Sequence, residues 1–156
     1  MEESNNLEKF KKNLSDLLFF AFKESHGSII VVYDFQKDID SFFKEGIFFD
    51  EPIDLYNEFI NYINTCSKDE AIIQRYYSLL GVFKLALDID GIVIIDNQAK
   101  LLGYNIFIKS DNSFISGGAR KRAYESIVNS NIDGVIGVYL QSQDGFNKFK
   151  GFNNGK

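Results

Sequence analysis

The sequence predicts an α/β fold: one domain in which helices flank a central, twisted sheet of mixed strand direction. Two observations predict this class. Apolar residues at helical spacing dominate the N-terminal half, whereas the C-terminal half alternates short β-branched runs with one helical segment. The 156 residues, 45% of them hydrophobic, suffice for one hydrophobic core. We therefore expect a single domain over 1–156, with a helical part at 1–87, the core motifs at 88–151 and a frayed tail at 152–156.

The first half of the chain is predicted to carry four helices and one strand. Apolar residues recur every three or four positions over 7–22, which predicts an opening amphipathic helix. The β-branched run at 27–34 is typical of a buried strand. Three further helical stretches are predicted, at 37–44, 52–63 and 67–87.

Local signals refine these helices. Pro52, the only proline, fits the first turn of a helix, where its missing N–H leaves no hydrogen bond unmade. Ser67 and Glu70 form a Ser-x-x-Glu capping box at the start of the last of these helices. The phenylalanine-rich segment 17–22 of the opening helix is expected to lie in the core rather than on a membrane or partner face.

The second half is predicted to be mainly strands. Two apolar runs, at 90–96 and 101–108, are joined by a short polar turn and predict a hairpin. A helix at 119–129 and two more strands, at 133–141 and 146–152, are expected to complete the sheet. Helices first, and then strands with one helix between them, favour a mixed sheet.

Charge and composition exclude several classes of protein. A net charge of -5 argues against general nucleic-acid binding, which needs a broad cationic surface. No apolar run approaches the roughly 18 residues that span a bilayer, and the N-terminus is too polar for a secretory signal, so we expect no membrane partner. One cysteine, Cys66, cannot form an intramolecular disulfide and suits a reducing compartment, so a cytoplasmic location is expected. For His26 and Cys66, a capping or half-buried histidine and a core cysteine are favoured over a catalytic pair.

An anion site is indicated where this acidic chain gathers three consecutive cations, Arg120, Lys121 and Arg122, directly after Gly117 and Gly118. The N–H groups that open a helix lie at the positive end of its dipole, and glycines let a phosphate approach them closely. Arginines add bidentate contacts to phosphate oxygens. On spacing alone, the favoured interpretation is a glycine-rich loop before a helix whose basic side chains are merely solvated. Cations in a first turn oppose the dipole, however, and a bound anion would remove that conflict.

Aspartates supply the candidate metal ligands. Asp90, at a loop-to-strand junction, could hold a divalent cation or orient a hydroxyl, because hard cations prefer carboxylate oxygen. The alternative is that Asp90 and Gly91 only form a turn, and turn chemistry is the preferred interpretation for Asp96. Asp144 could be a second carboxylate, although Asp-Gly is also a common hairpin turn.

The order of these segments, over about 7–151, is similar to that of the diadenylate cyclase (DAC) family. That family has an Asp-Gly-Ala at a strand start and an Arg-His-Arg at a helix start. The positions that resemble these motifs are Asp90, Gly91 and Ile92, and Arg120, Lys121 and Arg122. The segment KEGIFFDEPID (44–54) also resembles the family's glycine-containing turn before its middle helices.

The resemblance implies a function. In that family two ATP-loaded domains face each other as a homodimer and form cyclic di-AMP, with Mg²⁺ or Mn²⁺ neutralising the phosphates. Asp90 would then be the metal and hydroxyl-orienting carboxylate, with Asp144 as a further metal ligand. The residues implied in nucleotide binding are Asp90, Gly91, Ile92, Gly117, Gly118, Ala119, Arg120, Lys121, Arg122, Ser142 and Gln143.

Five departures separate this chain from active cyclases. Ile89 stands where the family has His, Ile92 where it has Ala, and Ala119 where it has Thr; Lys121 replaces a central His and Gln143 an acid. Phosphate binding rests on glycine backbone and arginines, so it survives these changes. Loss of a proton-handling group typically costs a factor of about 10² to 10⁴ in rate. We therefore expect a degenerate sensor that binds an adenine nucleotide, ATP or a cyclic dinucleotide, as in a branch of this superfamily proposed to sense nucleotides; the alternative is an active diadenylate cyclase.

Overall fold

A six-stranded sheet with helices on both faces organises the residues that the computed structural model describes, which are 2–65, 69–108 and 118–152. The helices are α1 (Glu2–Glu24), α2 (Leu55–Thr65), α3 (Glu70–Asp88) and α4 (Ala119–Asn129). The strands are β1 (Ser28–Tyr33), β2 (Phe43–Asp54), β3 (Ile92–Asp96), β4 (Lys100–Ile108), β5 (Val135–Gln141) and β6 (Asn147–Gly151). The predicted α/β class is confirmed. Within these ranges, every helix is too short or too polar to cross a bilayer.

The sheet is mixed, as expected, with the strand order β2-β4-β3-β1-β5-β6. β1 and β3 are parallel, with Ile29 opposite Ile92, and all the other neighbouring strands are antiparallel. β3 and β4 form the predicted hairpin, and β5 and β6 form another. Because of these directions, the starts of β1 and β3 and the ends of β4 and β5 all lie at the same end of the sheet.

Alternate side chains of the strands form a core on each face of the sheet. On one face, Tyr124 and Ile127 of α4 pack against a cluster that includes Val31. On the other face, α1, α2 and α3 form a second cluster in which Phe83 lies with Val93 of β3. The sheet is therefore sandwiched, and α4 covers its own face of the central strands.

The helix predicted at 37–44 is wrong. The chain makes turns and irregular backbone after β1 and enters β2 at Phe43. Side-chain hydrogen bonds hold this segment in turns: the hydroxyl oxygen of Tyr33 accepts from the N–H of Asp40 at 2.9 Å, and the Asp40 carboxylate accepts from the N–H of Phe42 at 2.8 Å. Such local bonds compete with helix formation, and hydrophobic spacing does not reveal them.

Pro52 lies in a strand and not in the first turn of a helix. β2 is an edge strand, where a missing N–H need not break the ladder. The segment 44–54, which resembles a glycine-containing turn, is thus part of β2. α2 begins only at Leu55, and the carboxylate of Asp54 accepts from the N–H of Asn57 at 2.9 Å. An aspartate just before the helix supplies the start signal that was assigned to the proline.

The phenylalanine-rich end of α1 is only partly in the core. Phe22 stacks on Tyr139 of β5, with ring centroids 5.0 Å apart. Phe19 and Phe20 are exposed, so the expectation that the whole segment lies in the core is wrong. The reason is that α1 buries only one stripe of its surface, and residues next to that stripe in sequence point elsewhere.

Two further end signals need correction. The N-cap of α3 is Asp69. Ser67, predicted to begin the capping box, and Cys66, predicted to lie in the core, are outside the described residues. At the C-terminus, the N–H of Phe152 donates to the carbonyl of Ile136 at 2.9 Å, so the first residue of the predicted frayed tail is tied to the sheet.

Candidate functional site

The predicted site residues converge at the end of the sheet where β1 and β3 begin. Asp90 precedes β3, Gly118 precedes α4, and Ser142 follows β5. These three segments are distant in sequence and are brought together by the strand order. Gly117 lies outside the described residues.

The start of α4 has the features expected of an anion site. Gly118 is the N-cap, with φ and ψ of −65° and 164°, and no side chain of the described residues caps the helix there. The first turn contains no acidic residue and instead carries Arg120, Lys121 and Arg122. A Cβ added at Gly118 would meet no atom of the described residues within 4 Å, so neither packing nor φ requires glycine at this position. What glycine provides here is open space beside the positive end of the helix dipole.

Arg120 is held rigidly at the centre of the site. Its Nη1 donates to the carbonyl of His26 at 2.9 Å, and its Nη2 donates to Oδ1 of Asp90 at 3.1 Å. Its Nε is buried and has no hydrogen-bond partner in the part of the chain that the structure describes. An unpaired buried donor costs free energy, about 1–3 kcal/mol, unless another acceptor reaches it. The side chain therefore bridges three segments and carries one unmet hydrogen-bond donor.

The contacts that His26 and Gly27 make with Arg120 were not predicted. His26 is exposed and not half-buried as expected, and it contributes its backbone carbonyl. A backbone acceptor has no signature in the side-chain pattern. Gly27 has a positive φ of 105°, and a Cβ there would lie 2.8 Å from the carbonyl oxygen of Gln141 and 3.4 Å from Nη1 of Arg120. Glycine is thus required for the close approach of β5 and the arginine.

Asp90 and Gly91 combine a turn with an ion pair. Gly91 has a φ of 112°, and a Cβ there would lie 2.9 Å from the backbone of Asn105, so the turn interpretation of Asp90-Gly91 holds for the glycine. The Asp90 side chain is 74% exposed and that of Arg120 is 28% exposed. Ile92 is buried in the core of the sheet, so most of its bulk is directed away from solvent.

Two clefts meet at the Asp90–Arg120 pair. The first has a volume of about 180 Å³ and a largely apolar wall. The second has a volume of about 490 Å³ and a wall that is also largely apolar. Residues from the predicted site that line the first are Asp90, Gly91, Ile92, Ala119, Arg120 and Arg122. Those that line the second are Asp90, Gly118, Ala119, Arg120, Lys121, Ser142, Gln143 and Asp144.

The turn after β5 forms one wall of the second cleft. The hydroxyl oxygen of Ser142 accepts from the N–H of Phe146 at 3.2 Å, and the N–H of Ser142 donates to the carbonyl of Phe146 at 2.8 Å. Gly145 has a φ of 80°, so the Asp-Gly turn interpretation holds here. Gln143 and Asp144 are exposed on this turn. Phe146, which lines the cleft, is a further residue that the sequence analysis did not select.

Asp96, at the other end of β3, has a purely structural role. Its carboxylate is buried, and Oδ1 accepts from the N–H groups of Gln98 and Lys100 at 2.9 and 2.8 Å. The preferred turn interpretation is confirmed. The two aspartates that flank β3 therefore differ in kind, since Asp96 is satisfied by its own turn and Asp90 faces the clefts.

A cation and an aromatic ring connect β6 to α4. Nζ of Lys148 bonds to Glu125 at 2.9 Å and lies 5.0 Å from the ring centroid of Tyr124. The hydrogen bond to Glu125 raises the pKa of Lys148, and burial raises the pKa of Tyr124. Lys148 therefore stays protonated and Tyr124 stays neutral at pH 7.

The carboxylates of Asp90 and Asp144 could bind a metal ion only together with phosphate oxygens. Asp90 and Asp144 line the same cleft. Within the described ranges there is no cluster of three or more His, Cys, Asp or Glu side chains able to hold a metal. Mg²⁺ in nucleotide sites typically takes one or two protein carboxylates and completes its shell with phosphate oxygens and water. This donor set therefore fits an ion that arrives with a nucleotide and does not fit a resident metal.

Comparison with known proteins assigns no family. No protein-family model matches the chain, and no curated protein matches it significantly.

Proposed function

We propose that this domain binds an adenine nucleotide, ATP or a cyclic dinucleotide, at the start of α4 and works as a binding module. The observation that carries the proposal is Arg120: its guanidinium is fixed by Asp90 and the His26 carbonyl, and its buried Nε has no partner among the described residues. A fixed guanidinium beside an uncapped helix start is suited to phosphate oxygens. The preference for adenine comes from the resemblance to the diadenylate cyclase family.

Isothermal titration calorimetry of the full chain with ATP, with and without Mg²⁺, tests this proposal. Removal of one charge-assisted contact typically costs about 1.5–3 kcal/mol, so we expect Arg120→Ala and Arg122→Ala each to weaken ATP binding about 10- to 100-fold. Arg75 provides the matched control, because it is the one other arginine and forms its own bidentate pair with Glu58 of α2. Arg75→Ala should leave the affinity unchanged. Unaltered binding in both α4 variants would sink the proposal.

Arg120 also ties segments of the fold together, so its variant needs a second readout. Thermal unfolding of Arg120→Ala reports the lost contacts to Asp90 and His26. Arg122 is exposed on α4 and lines the first cleft, so its replacement tests the site without removing the Arg120 contacts to Asp90 and His26. A loss of binding in Arg122→Ala at unchanged melting temperature is the cleanest support.

A second candidate function is diadenylate cyclase activity. One observation favours it, namely that Asp90 and Asp144 line the same cleft and could share a phosphate-bound ion. The ion pair between Asp90 and Arg120 counts against it, because a carboxylate engaged by a guanidinium is a weaker metal ligand. Incubation with ATP and Mn²⁺, followed by chromatography, separates the two functions. Cyclic di-AMP that disappears in Asp90→Asn would replace the binding module by an enzyme.

A further inference from the structure

Phe146 is an exposed aromatic side chain in the second cleft. It directly precedes β6, and 57% of its surface is accessible. It lines the same cleft as Gly118, Lys121 and Asp144. An apolar ring of this size left open beside cations and an uncapped helix is a feature that phosphate binding alone does not use.

The strand register fixes the face on which Phe146 lies. Phe146 precedes β6 by one residue, and the N–H of Ser142 donates to its carbonyl at 2.8 Å, which extends the β5–β6 ladder by one step. The N–H of Phe146 donates to the hydroxyl oxygen of Ser142 and not to its carbonyl. Side chains two residues apart on a strand share a face, so Phe146 lies on the same face as Lys148. Lys148 contacts Glu125 and Tyr124 of α4. Phe146 therefore lies on the α4 side of the sheet, one step closer to the start of that helix.

This placement gives the second cleft two chemically different parts. One part is cationic, where α4 begins with Arg120 and Lys121. The other is aromatic and is formed by Phe146. Base stacking on an exposed aromatic ring is worth about 1–3 kcal/mol per base in single-stranded nucleic-acid sites, and every base offers a flat face for it. A cleft of about 490 Å³ has room for a base and phosphates together.

We propose that Phe146 is the base-stacking residue of this site, so that the ligand class is a nucleoside polyphosphate whose base lies on Phe146 while its phosphates reach the start of α4. This inference rests on the proposed function. It assigns the two ends of the ligand, and it separates nucleotides from inorganic polyphosphates, which the cations alone would bind equally.

Phe149 is the matched control. It is 66% exposed and lies three residues further on, in β6. It pairs with Tyr139, which packs against α1, and its ring lies next to Gly137, where a Cβ would be 3.3 Å from Cε2. Phe149 therefore occupies the opposite face of the sheet from α4 and does not line the cleft.

Titration of the full chain with ATP and with inorganic tripolyphosphate tests the inference. Phe146→Ala should weaken ATP binding about 5- to 150-fold, the range that stacking energies imply, and should leave tripolyphosphate binding unchanged. Phe149→Ala should change neither. If wild-type protein binds both anions and Phe146→Ala binds ATP as tightly as wild type, the stacking inference fails while the anion site stands. If wild-type protein binds neither anion, the proposed function fails as well.

A tryptophan at the same position gives an independent readout. The chain contains no tryptophan, so Phe146→Trp introduces the only one. We expect ATP to quench its fluorescence by stacking and tripolyphosphate to leave it nearly unchanged. Equal responses to the two anions, or a response to ATP only in Phe149→Trp, would overturn the assignment of the base to this ring.

Discussion

α3 and α4 begin in opposite ways, although the first N–H groups of both helices lack partners within the helix. At α3, the carboxylate of Asp69 accepts from the N–H groups of Ala71 and Ile72 at 3.0 and 3.4 Å, and Glu70 adds a negative charge to the first turn. At α4, the cap residue is Gly118, and no acidic residue follows in the first turn. Asp69 thus completes the start of α3 with its side chain, whereas no side chain of the described residues does so at the start of α4.

The difference between the two helix starts indicates that the start of α4 is less stable than it could be. Cations in the first turn of a helix face the positive end of its dipole, at a cost of a few tenths to about 1 kcal/mol each. α4 carries three of them, and it lies where Asp90 and the turn after β5 meet. A surface that forgoes both the cap and the favourable charge is suited to a ligand that supplies them.

The largest effect is expected when α4 receives the cap of α3. Gly118 has extended backbone angles, and a Cβ there meets no described atom, so Gly118→Asp fits without strain. The new carboxylate would bond the N–H groups of the first turn and occupy the anion position. We expect ATP affinity to fall about 10- to 100-fold, while the free energy of unfolding rises by about 0.5 kcal/mol. Calorimetric titration and urea unfolding measure the two effects.

Gly118→Asn separates charge from capping in this experiment. Asparagine caps as well as aspartate does but carries no charge. It should reduce ATP affinity less than aspartate does, because the phosphates meet no charge repulsion. If aspartate and asparagine reduce binding equally, the site excludes side chains by volume, and the electrostatic contrast between the two helices is not what matters.

A second contrast lies in the buried tyrosines of the same two helices. The hydroxyl of Tyr76 in α3 donates to Oδ1 of Asn13 at 2.5 Å, whereas the buried hydroxyl of Tyr124 in α4 has no partner among the described residues. Tyr76→Phe should therefore cost about 1 kcal/mol of unfolding free energy, and Tyr124→Phe should be neutral or stabilise by up to about 1 kcal/mol. Urea unfolding at pH 7 compares them. Equal destabilisation by both changes would show that the Tyr124 hydroxyl is satisfied.

Alkaline pH adds an internal check on Tyr76. Burial, reinforced by the neighbouring Tyr62 and Tyr77, raises the pKa of Tyr76 to about 12. The unfolded chain has a tyrosine pKa of about 10, so the folded state holds this proton to higher pH. The stabilising contribution is complete below pH 10 and is lost as the pH rises towards 12. Stability measured from pH 9 to 11.5 should fall less steeply in Tyr76→Phe than in wild type.

The sequence predicted those parts of the fold in which periodic apolar residues are followed by glycine or aspartate residues typical of turns. The hairpin of β3 and β4, the helix after Gly118 and the structural role of Asp96 were all predicted correctly, because alternation, glycine and Asp turn chemistry act over a few residues. No local signal placed Asp90 beside Arg120. Only the family resemblance assigned both residues to one site. Their 3.1 Å contact arises from the strand order, which no short window of sequence contains.

The errors have a common physical origin. The false helix at 37–44 has acceptable spacing of apolar residues, but the Tyr33 hydroxyl and the Asp40 carboxylate stabilise turns instead. The acceptor for Arg120 is the backbone carbonyl of His26, and its approach depends on the missing Cβ of Gly27. Backbone acceptors and close approaches are set by tertiary packing, so side-chain periodicity does not encode them.

The smallest effect is expected from the converse change at α3. Asp69→Ala removes the side chain that caps the helix and should lower the free energy of unfolding by about 1 kcal/mol. ATP affinity should stay at the wild-type value, because Asp69 lines neither of the two clefts at the α4 end. Urea unfolding and titration of the same sample measure both quantities. A stability loss without a binding loss here, set against a binding loss without a stability loss in Gly118→Asp, would establish that one helix start serves the fold and the other serves a ligand.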